Sequence, residues 1–262
     1  MSTPPRKLPG SLNANRRLDR WLRINRDGTV TVFPGKVEIG QGILTALAQI
    51  VAEELDVALE RIRLAPTDTS YSPDEGMTSG SQSITDGGTA LRYAAAEARD
   101  LLLQRAAARL GVSLEQLSVA DGVVTARAGG GTTYWELASG DILAREATAE
   151  IAPKPASQHT IIGRPAPRRA IPAKVSGTPV YVHDLELPGM LHGRIARPPS
   201  YEARLAGFDE AEVRALPGVV KVVRDGSFVG VVAEREEQAI RALTRLKRIA
   251  HWEDSTRLPE SD

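Results

Sequence analysis

Hydrophobic and polar positions along this chain form short alternating runs and three longer stretches with helical spacing. Polar and apolar residues alternate over 29–33, which predicts a strand with one buried face; 21–24 precede it across an Asp-Gly turn as a hairpin partner. Apolar residues recur at helical spacing in 42–56, 88–110 and 236–249, which predicts three helices. The first two predicted helices each begin directly after a loop that contains glycine.

The remaining pattern predicts shorter elements. They are a strand at 61–66, a hairpin at 118–128, a helical turn at 134–137, strands at 180–184 and 190–195, a short helix at 209–216, and strands at 219–223 and 228–232. The helix over 88–110 is rich in alanine, and small side chains on its buried stripe favour close packing on a sheet. This mixture of strands and helices indicates an α+β fold.

A change of composition divides the chain near its middle. Prolines recur through 152–174, and no acidic residue occurs between Glu150 and Asp184, which predicts an extended connector without helix. The chain then divides into 1–151, the connector 152–174, and a second module over 175–262. The basic charge of the connector fits a contact with a partner subunit or an anionic ligand. A solvated linker that lies over an acidic surface is the commoner explanation, by about two to one, because exposed charge specifies little.

Composition excludes several classes of function. Lysine plus arginine and aspartate plus glutamate number 33 each, so there is no basic footprint for nucleic acid. Cysteine is absent, which excludes disulfides, thiolate metal sites and iron–sulfur ligation within these residues. No signal peptide or membrane span is visible, and we expect a cytoplasmic protein. The four histidines lack metal-ligand spacing, and the carboxylates of Asp74 and Glu75 are expected to be solvated.

Two loops at predicted helix starts have chemistry suited to a ligand. Gly40-Gln41-Gly42 lets backbone N–H groups approach a ligand closely, and the Gln41 amide can read the edge of a heterocycle. Taken alone, this short pattern is more often a plain turn, and it lacks the third glycine of a dinucleotide-binding loop. The second loop, 76–83, adds several hydroxyl groups and accessible amides. Together the loops predict one polar, phosphate-bearing ligand held between two helix starts.

Six segments of the chain carry the motifs of one known family. They are 35–47, Ala52-Glu53-Glu54-Leu55, 73–83, 172–177, 185–192 and 216–220. Together they closely resemble the molybdopterin-binding large subunit of the xanthine dehydrogenase/aldehyde oxidase family, in the subtype of nicotinate dehydrogenase and of the isoquinoline 1-oxidoreductase β-subunit. The resemblance covers the chain from about Leu8. It implies an N-terminal portion of that large subunit, in which a molybdopterin-binding domain fragment precedes an a/b hammerhead domain.

The resemblance also implies which residues contact the cofactor. In that family, the glutamine of the Gly-Gln-Gly motif and the Thr/Gly/Ser loop contact the pyranopterin and its phosphate. The matching positions here are Gln41, Gly42, Thr78, Gly80, Ser81, Gln82 and Ser83. The family's catalytic glutamate and the glycine-rich segment beside its metal have no match, so neither a catalytic residue nor a metal ligand is implied.

The function implied by the resemblance is that of part of a molybdenum hydroxylase. The chain would bind molybdopterin, in its cytosine dinucleotide form, for hydroxylation of an N-heterocycle or an aldehyde with water-derived oxygen. Implied partners are the C-terminal half of the large subunit, a small [2Fe–2S] subunit, and a flavin or cytochrome c subunit; the iron–sulfur clusters and the electron acceptor belong to those partners. The alternative is a non-catalytic remnant or assembly module that keeps the fold. The substrate is not specified by these residues.

Overall fold

The computed structural model describes residues 7–138, 141–178 and 181–253, and it divides into two compact units, Met1–Tyr181 and Val182–Asp262. The connector predicted over 152–174 falls inside the first unit. The three-part division of the chain stays a prediction. Each unit is described by itself below.

The first unit contains a βαβ arrangement that positions the two glycine-containing loops. Strands β1 (Leu22–Ile24) and β2 (Val30–Val32) form the predicted antiparallel hairpin. Helix α1 (Ile43–Leu55) follows β2 and leads to β3 (Ile62–Leu64), which pairs with β2 in parallel. A parallel neighbour needs a crossover connection, and α1 provides it. The predicted hairpin, helix and strand are therefore confirmed.

Helix α2 (Thr89–Leu110) packs against α1 and completes the core of the first unit. Its alanines at 94, 95 and 98 are fully buried, and they contribute to the same hydrophobic core as Leu47 and Val51 of α1. A π-helical turn, Ser83–Gly88, joins the loop before it directly to α2. The second predicted loop therefore opens onto a long helix, as the sequence indicates.

A smaller sheet follows α2. Strands β4 (Leu117–Ala120) and β5 (Val123–Ala126) form the predicted hairpin, and β6 (Gly131–Thr133) adds a third antiparallel strand. The sequence prediction missed β6 because this strand follows glycines at 129 and 130 and lacks an apolar alternation. The predicted helical turn is α3 (Tyr134–Leu137), which is closed by a capping box.

The connector contains a short helix, contrary to the prediction that it would be extended throughout. Helix α4 (Ile171–Val175) begins at the end of the proline-rich stretch, with Pro172 in its first turn. Proline is tolerated there because the first N–H groups of a helix have no intrahelical partner. The proline that was expected to block helix formation therefore lies at a position compatible with it.

The second unit is a three-stranded antiparallel sheet with helices packed on one face. The sheet has the order β7 (His192–Ala196), β10 (Phe228–Ala233), β9 (Val219–Asp225). Helices α5 (Glu210–Arg214) and α6 (Glu236–Ile249) bury Val213, Ala242 and Leu246 in its core. These elements match the predicted strands and helices closely.

Two features of the second unit differ from the sequence prediction. Residues Val182–Asp184 form a 3-10 turn instead of the end of a strand over 180–184, while position 180 lies outside the described residues. Strands β8 (Arg204–Gly207) and β11 (His251–Glu253) form a separate two-stranded sheet that was not predicted. Each is too short to show a clear alternation. The mixed helix and sheet content is as expected for an α+β protein, and the hammerhead assignment stays a prediction.

Candidate functional site

The loop before α1 is closed by the side chain of Gln41. Its Nε2 donates to the Val37 carbonyl at 2.9 Å, and its Oε1 accepts from the Ile39 N–H at 2.7 Å. Gly40 and Gly42 have φ values of 110° and 82°, a region that favours glycine, so both glycines are required by the turn. The predicted ligand-reading amide is exposed, and it bonds within its own loop.

The start of α1 is occupied by a carboxylate of the same chain. Glu38 Oε1 accepts from the N–H groups of Gly40 and Gly42, each at 2.8 Å, and its Oε2 lies 3.5 Å from the Leu44 nitrogen. Burial is the largest single influence on the pKa of Glu38 and acts to raise it, but the backbone donors together hold that pKa below its usual value. Sequence reasoning missed Glu38, although an acidic residue just before a helix is a recognised capping signal.

The second loop contacts the first through Val37. The Val37 N–H donates to Thr78 Oγ1 at 3.0 Å, so Val37 bonds to Thr78 on one side and to Gln41 on the other. Gly80 and Ser81 both have positive φ, at 63° and 58°, and form an exposed turn. The structure therefore brings the two predicted loops into contact at Val37.

A buried lysine holds the same two loops side by side. Lys36 is only 1% exposed, and its Nζ donates to the carbonyl oxygens of Glu75 at 2.5 Å and Met77 at 2.9 Å. A buried ammonium needs such acceptors, because its desolvation is costly unless it is fully bonded. Sequence reasoning did not anticipate this contact, since the lysine and its partners lie about forty positions apart.

Glu75 is not solvated, which corrects the expectation for the Asp74-Glu75 pair. Its Oε2 accepts from the Gly35 N–H at 2.8 Å, and its Oε1 is buried and has no hydrogen-bond partner among the described residues. A Cβ atom at position 87 would lie 2.6 Å from Oε1, so Gly87 makes room for the carboxyl group. Burial raises the pKa of Glu75, although the Ser11 side chain, the Gly35 N–H and the charge of Lys36 oppose that shift. Asp74 is exposed, as expected.

The raised pKa of Glu75 predicts a pH effect with a definite sign. The folded chain holds the Glu75 proton more tightly than the unfolded chain, so the stability this group contributes is lost as pH rises through its folded pKa. We expect the stability of Glu75→Gln relative to the unchanged protein to increase as pH rises through the range above the unfolded pKa of about 4.3. Urea unfolding across that range measures the difference, and a difference that falls with pH would contradict the assignment.

The connector is bound along its length to α1. Glu53, only 1% exposed, accepts from the N–H groups of Thr160 at 2.9 Å, Ile161 at 2.6 Å and Ile162 at 2.9 Å. Burial is the largest influence on the pKa of Glu53 and acts to raise it, yet these donors hold that pKa below its usual value. The Ala-Glu-Glu-Leu segment therefore has a structural role, in which a buried carboxylate anchors the connector.

Two further polar residues of α1 continue this attachment towards the loops. Gln49 Nε2 donates to the Ile161 carbonyl at 3.2 Å, and Thr45 Oγ1 accepts from the Arg169 N–H at 3.1 Å. With Glu53 they form a stripe at four-residue spacing, which places them on one face of the helix. The sequence contains a signal for this stripe, since its three members are polar positions in a largely apolar helix, but the sequence analysis did not identify it.

The basic residues of the connector bond to the first unit itself. Lys154 pairs with the Asp56 carboxylate and donates to the Glu53 carbonyl at 2.5 Å. Arg168 Nη2 donates to the Gly40 carbonyl at 2.7 Å and lies 3.9 Å from the Glu38 carboxylate. These contacts favour the interpretation of the connector as a basic segment lying over an acidic surface. They also bring Arg168 to the mouth of α1, beside a cavity of about 310 Å³.

The exposed groups at the two loops determine which ligand they fit. The Ser81 hydroxyl is exposed, Ser83 is half-buried, and neither hydroxyl has a hydrogen-bond partner within the part of the chain that the structure describes. The same two loops also carry exposed apolar side chains: Ile39 is 65% exposed and Met77 81%. The loops thus offer both free hydroxyl groups and exposed apolar side chains to the solvent. At the start of α1, by contrast, the N–H groups of Gly40 and Gly42 already donate to the Glu38 carboxylate.

Comparison with known proteins shows the family. The profile described as "Molybdopterin cofactor-binding domain" matches residues 9–175. The chain therefore belongs to the molybdopterin-binding large subunits of the xanthine dehydrogenase/aldehyde oxidase family. The resemblance inferred from its motifs is confirmed.

The relatives are much longer than this chain. A nicotinate dehydrogenase subunit of Pseudomonas putida is 43% identical over 94% of the chain, which spans 21% of that protein. The β-subunit of isoquinoline 1-oxidoreductase from Brevundimonas diminuta is 31% identical over 88% of the chain, which spans 35% of that relative. Among solved structures, a CO dehydrogenase from Oligotropha carboxidovorans is 29% identical over 44% of this chain and 15% of its own, with a TM-score of 0.40.

Neither a metal-binding cluster nor a membrane-spanning helix occurs among the described residues. Within 7–138, 141–178 and 181–253, no group of three or more His, Asp or Glu side chains could hold a metal ion. No helix in the same ranges is long and apolar enough to cross a membrane.

Proposed function

We propose that this chain is the part of a molybdenum hydroxylase large subunit that holds the pyranopterin of the molybdenum cofactor, in its cytosine dinucleotide form. The observation that carries this proposal is the meeting of the two loops at Val37, with the Ser81 and Ser83 hydroxyls left free. When bound, the cofactor supplies the redox chemistry for hydroxylating an N-heterocycle or an aldehyde with oxygen taken from water.

The residues of this chain bind and orient the ligand and do not carry out the chemistry. Ser81, Ser83 and the amide of Gln82 supply donors for phosphate, while Thr78 fixes their loop against Val37. Gln41 and Gly42 belong to the facing loop. On binding, the Gln41 amide gives up its hydrogen bonds to Val37 and Ile39 and bonds to the edge of the pterin instead. The rest of the large subunit, a [2Fe–2S] subunit and a flavin or cytochrome c subunit complete the enzyme and remove the electrons.

A second candidate is a non-catalytic assembly module. The observation that favours it is that Glu38 occupies the donors at the start of α1 and that Gln41 bonds within its own loop. A loop with its polar groups already paired is stable without a ligand. The two candidates differ in whether removing Gln41 or Ser81 changes cofactor content.

Cofactor content in a complete enzyme distinguishes them. The experiment uses a chimera of the nicotinate dehydrogenase relative of Pseudomonas putida, in which this chain replaces the segment that aligns with it. The chimera is expressed in cells that synthesise the cofactor. Gln41→Ala and Ser81→Ala each remove donors to the ligand and are expected to weaken binding by about 1–3 kcal/mol, roughly 5- to 150-fold. Molybdenum and pterin content of the purified protein are measured.

The control is Ser118→Ala, which removes an exposed hydroxyl on β4, in the small sheet away from both loops. It should leave molybdenum and pterin content unchanged. If Gln41→Ala and Ser81→Ala also retain full cofactor and only their thermal stability falls, the loops are structural turns and the assembly module is the better description.

A further inference from the structure

The central strands of the second unit have apolar residues at consecutive positions. Apolar side chains fill β9 at 219, 220, 222 and 223, and they fill β10 at every position except Gly230. An antiparallel sheet with one face in water alternates apolar and polar residues, whereas near-continuous apolar strands are typical of sheets covered on both faces. The sequence of these strands therefore indicates two covered faces.

Among the described residues of the second unit, 182–253, only one face of this sheet is covered. Val222, Val229 and Val231 are buried in the core with Leu246 of α6. Successive residues of a strand point to opposite faces. The other face therefore carries Ile195, Val223, Phe228 and Val232, which we call the outer sheet face.

The outer sheet face is exposed and shaped to receive side chains. Ile195 is 52% exposed and Phe228 46%. Gly230 lies directly opposite Ile195, and Gly193 lies opposite Val232, so two positions on this face have no side chain. A Cβ atom at Gly193 would meet nothing within 4 Å. The face therefore presents exposed apolar side chains next to an open position at Gly193.

We propose that the outer sheet face is covered by the polypeptide that continues this chain in its longer relatives. The inference rests on the proposed assignment of the chain to a larger subunit. The alignment with the nicotinate dehydrogenase relative covers 94% of this chain but 21% of that relative, which leaves most of the relative's length outside the aligned region. A segment in the same polypeptide is present at high effective concentration, so it covers an apolar face without a separate association step.

The composition of the outer sheet face supports a permanent cover. Its centre is aliphatic and aromatic, and the charged residues on the same side, Lys221 and Asp225, lie on the edge strand β9. A charge-depleted centre with a polar rim is typical of permanent interfaces, which resemble a domain core. A transient partner would meet a more polar surface.

Site-specific photo-crosslinking identifies what covers the face. The chimera described above receives p-benzoylphenylalanine in place of Phe228, and in a second sample in place of Ile240. Ile240 is also 46% exposed but lies on α6, on the helical side of the sheet. Crosslinked peptides are then identified by mass spectrometry.

We expect crosslinks from position 228 to the part of the large subunit downstream of the replaced segment, and none to that part from position 240. Crosslinks from position 228 to a second copy, to another subunit, or to no protein would overturn the inference. Because crosslinking needs no bound molybdenum, a chimera without cofactor that still crosslinks downstream contradicts the proposed cofactor role and leaves this inference standing.

The chain by itself provides an independent measurement. The fluorescence of a dye that binds exposed apolar surface should fall by about half in an Ile195→Ser, Phe228→Ser double variant. Ile240→Ser is the matched control and should leave dye binding unchanged. Circular dichroism establishes that the variants are folded, and equal dye binding by folded double variant and control would contradict an open apolar face.

Discussion

Replacing Glu53 by alanine is expected to lower the free energy of unfolding by about 3–5 kcal/mol, because it breaks a buried charged network. The carboxylate accepts from the backbone N–H groups of Thr160, Ile161 and Ile162, and also from the Thr160 hydroxyl at 3.3 Å. The side chain is almost fully buried, so no water replaces it without rearrangement of the connector. Urea denaturation of the full chain measures the effect.

Glu150→Ala is the matched control, because Glu150 is an exposed glutamate of the same unit. It should change the free energy of unfolding by less than about 0.5 kcal/mol. A loss below about 1 kcal/mol for Glu53→Ala would show that the connector does not depend on this carboxylate.

The contribution of Glu53 also has a definite pH dependence. Its pKa in the folded chain is below its usual value, so the folded state binds its proton less tightly than the unfolded state. Its contribution is therefore fully present above the unfolded pKa of about 4.3, and it is lost as pH falls through the folded pKa. Acid should consequently reduce the difference between the unchanged protein and Glu53→Ala. A difference that stays constant below about pH 4 would contradict this.

The elements that were predicted well from the sequence are those with local signals. The hairpin of β1 and β2, helices α1, α2 and α6, and strands β9 and β10 each show their own periodicity or turn residues. The strands that were missed, β6, β8 and β11, have three or four residues and no alternation. Strands β8 and β11 pair with each other although they are distant in sequence, which a single-sequence pattern does not reveal. Strand β6 pairs with the neighbouring β5, but its own residues give no strand pattern.

The candidate site was predictable only in part for the same reason. Glycines at 40, 42 and 80 mark turns that need positive φ, and the structure has positive φ at all three. The contacts that hold these turns together are long-range: Lys36 reaches Glu75 across 39 positions, and Arg168 reaches Gly40 across 128. The identities of these residues are visible in the sequence, but their partners are set by tertiary packing: of the two loops against each other for Lys36, and of the connector against the first loop for Arg168.

The partners of the connector's basic residues could not be deduced from its charge pattern alone. Its lack of acidic residues suggested either a ligand or an acidic surface, and both interpretations used net charge alone. In the structure, Arg169 donates to the carbonyl oxygens of Ile62 and Leu59, each at 2.6 Å, and burial lowers the pKa of its guanidinium. Several connector cations thus bond to backbone carbonyl groups. A charge pattern cannot predict such contacts, because backbone carbonyl groups carry no net charge.

Lys36→Met is expected to separate the two candidate loops and to lower the free energy of unfolding by about 2–4 kcal/mol. Methionine has a similar length and fills the same space, so the loss reflects the missing ammonium group. Without it, the carbonyl oxygens of Glu75 and Met77 lose their buried donor. The Glu75 carboxyl also loses a favourable cation, which would raise its pKa further.

Two measurements separate the effect on the loops from the effect on stability. Urea denaturation gives the free energy of unfolding, and hydrogen exchange followed by NMR reports the Val37 amide, which donates to Thr78 Oγ1. Faster exchange at Val37 under native conditions, with the amides of α1 unchanged, shows that Lys36 holds the loops together. Lys7→Met, at an exposed lysine, is the control and should alter neither quantity. If Lys36→Met destabilises the protein but leaves the Val37 amide as protected as before, the lysine supports the core without joining the loops, because the Thr78 contact then persists without it.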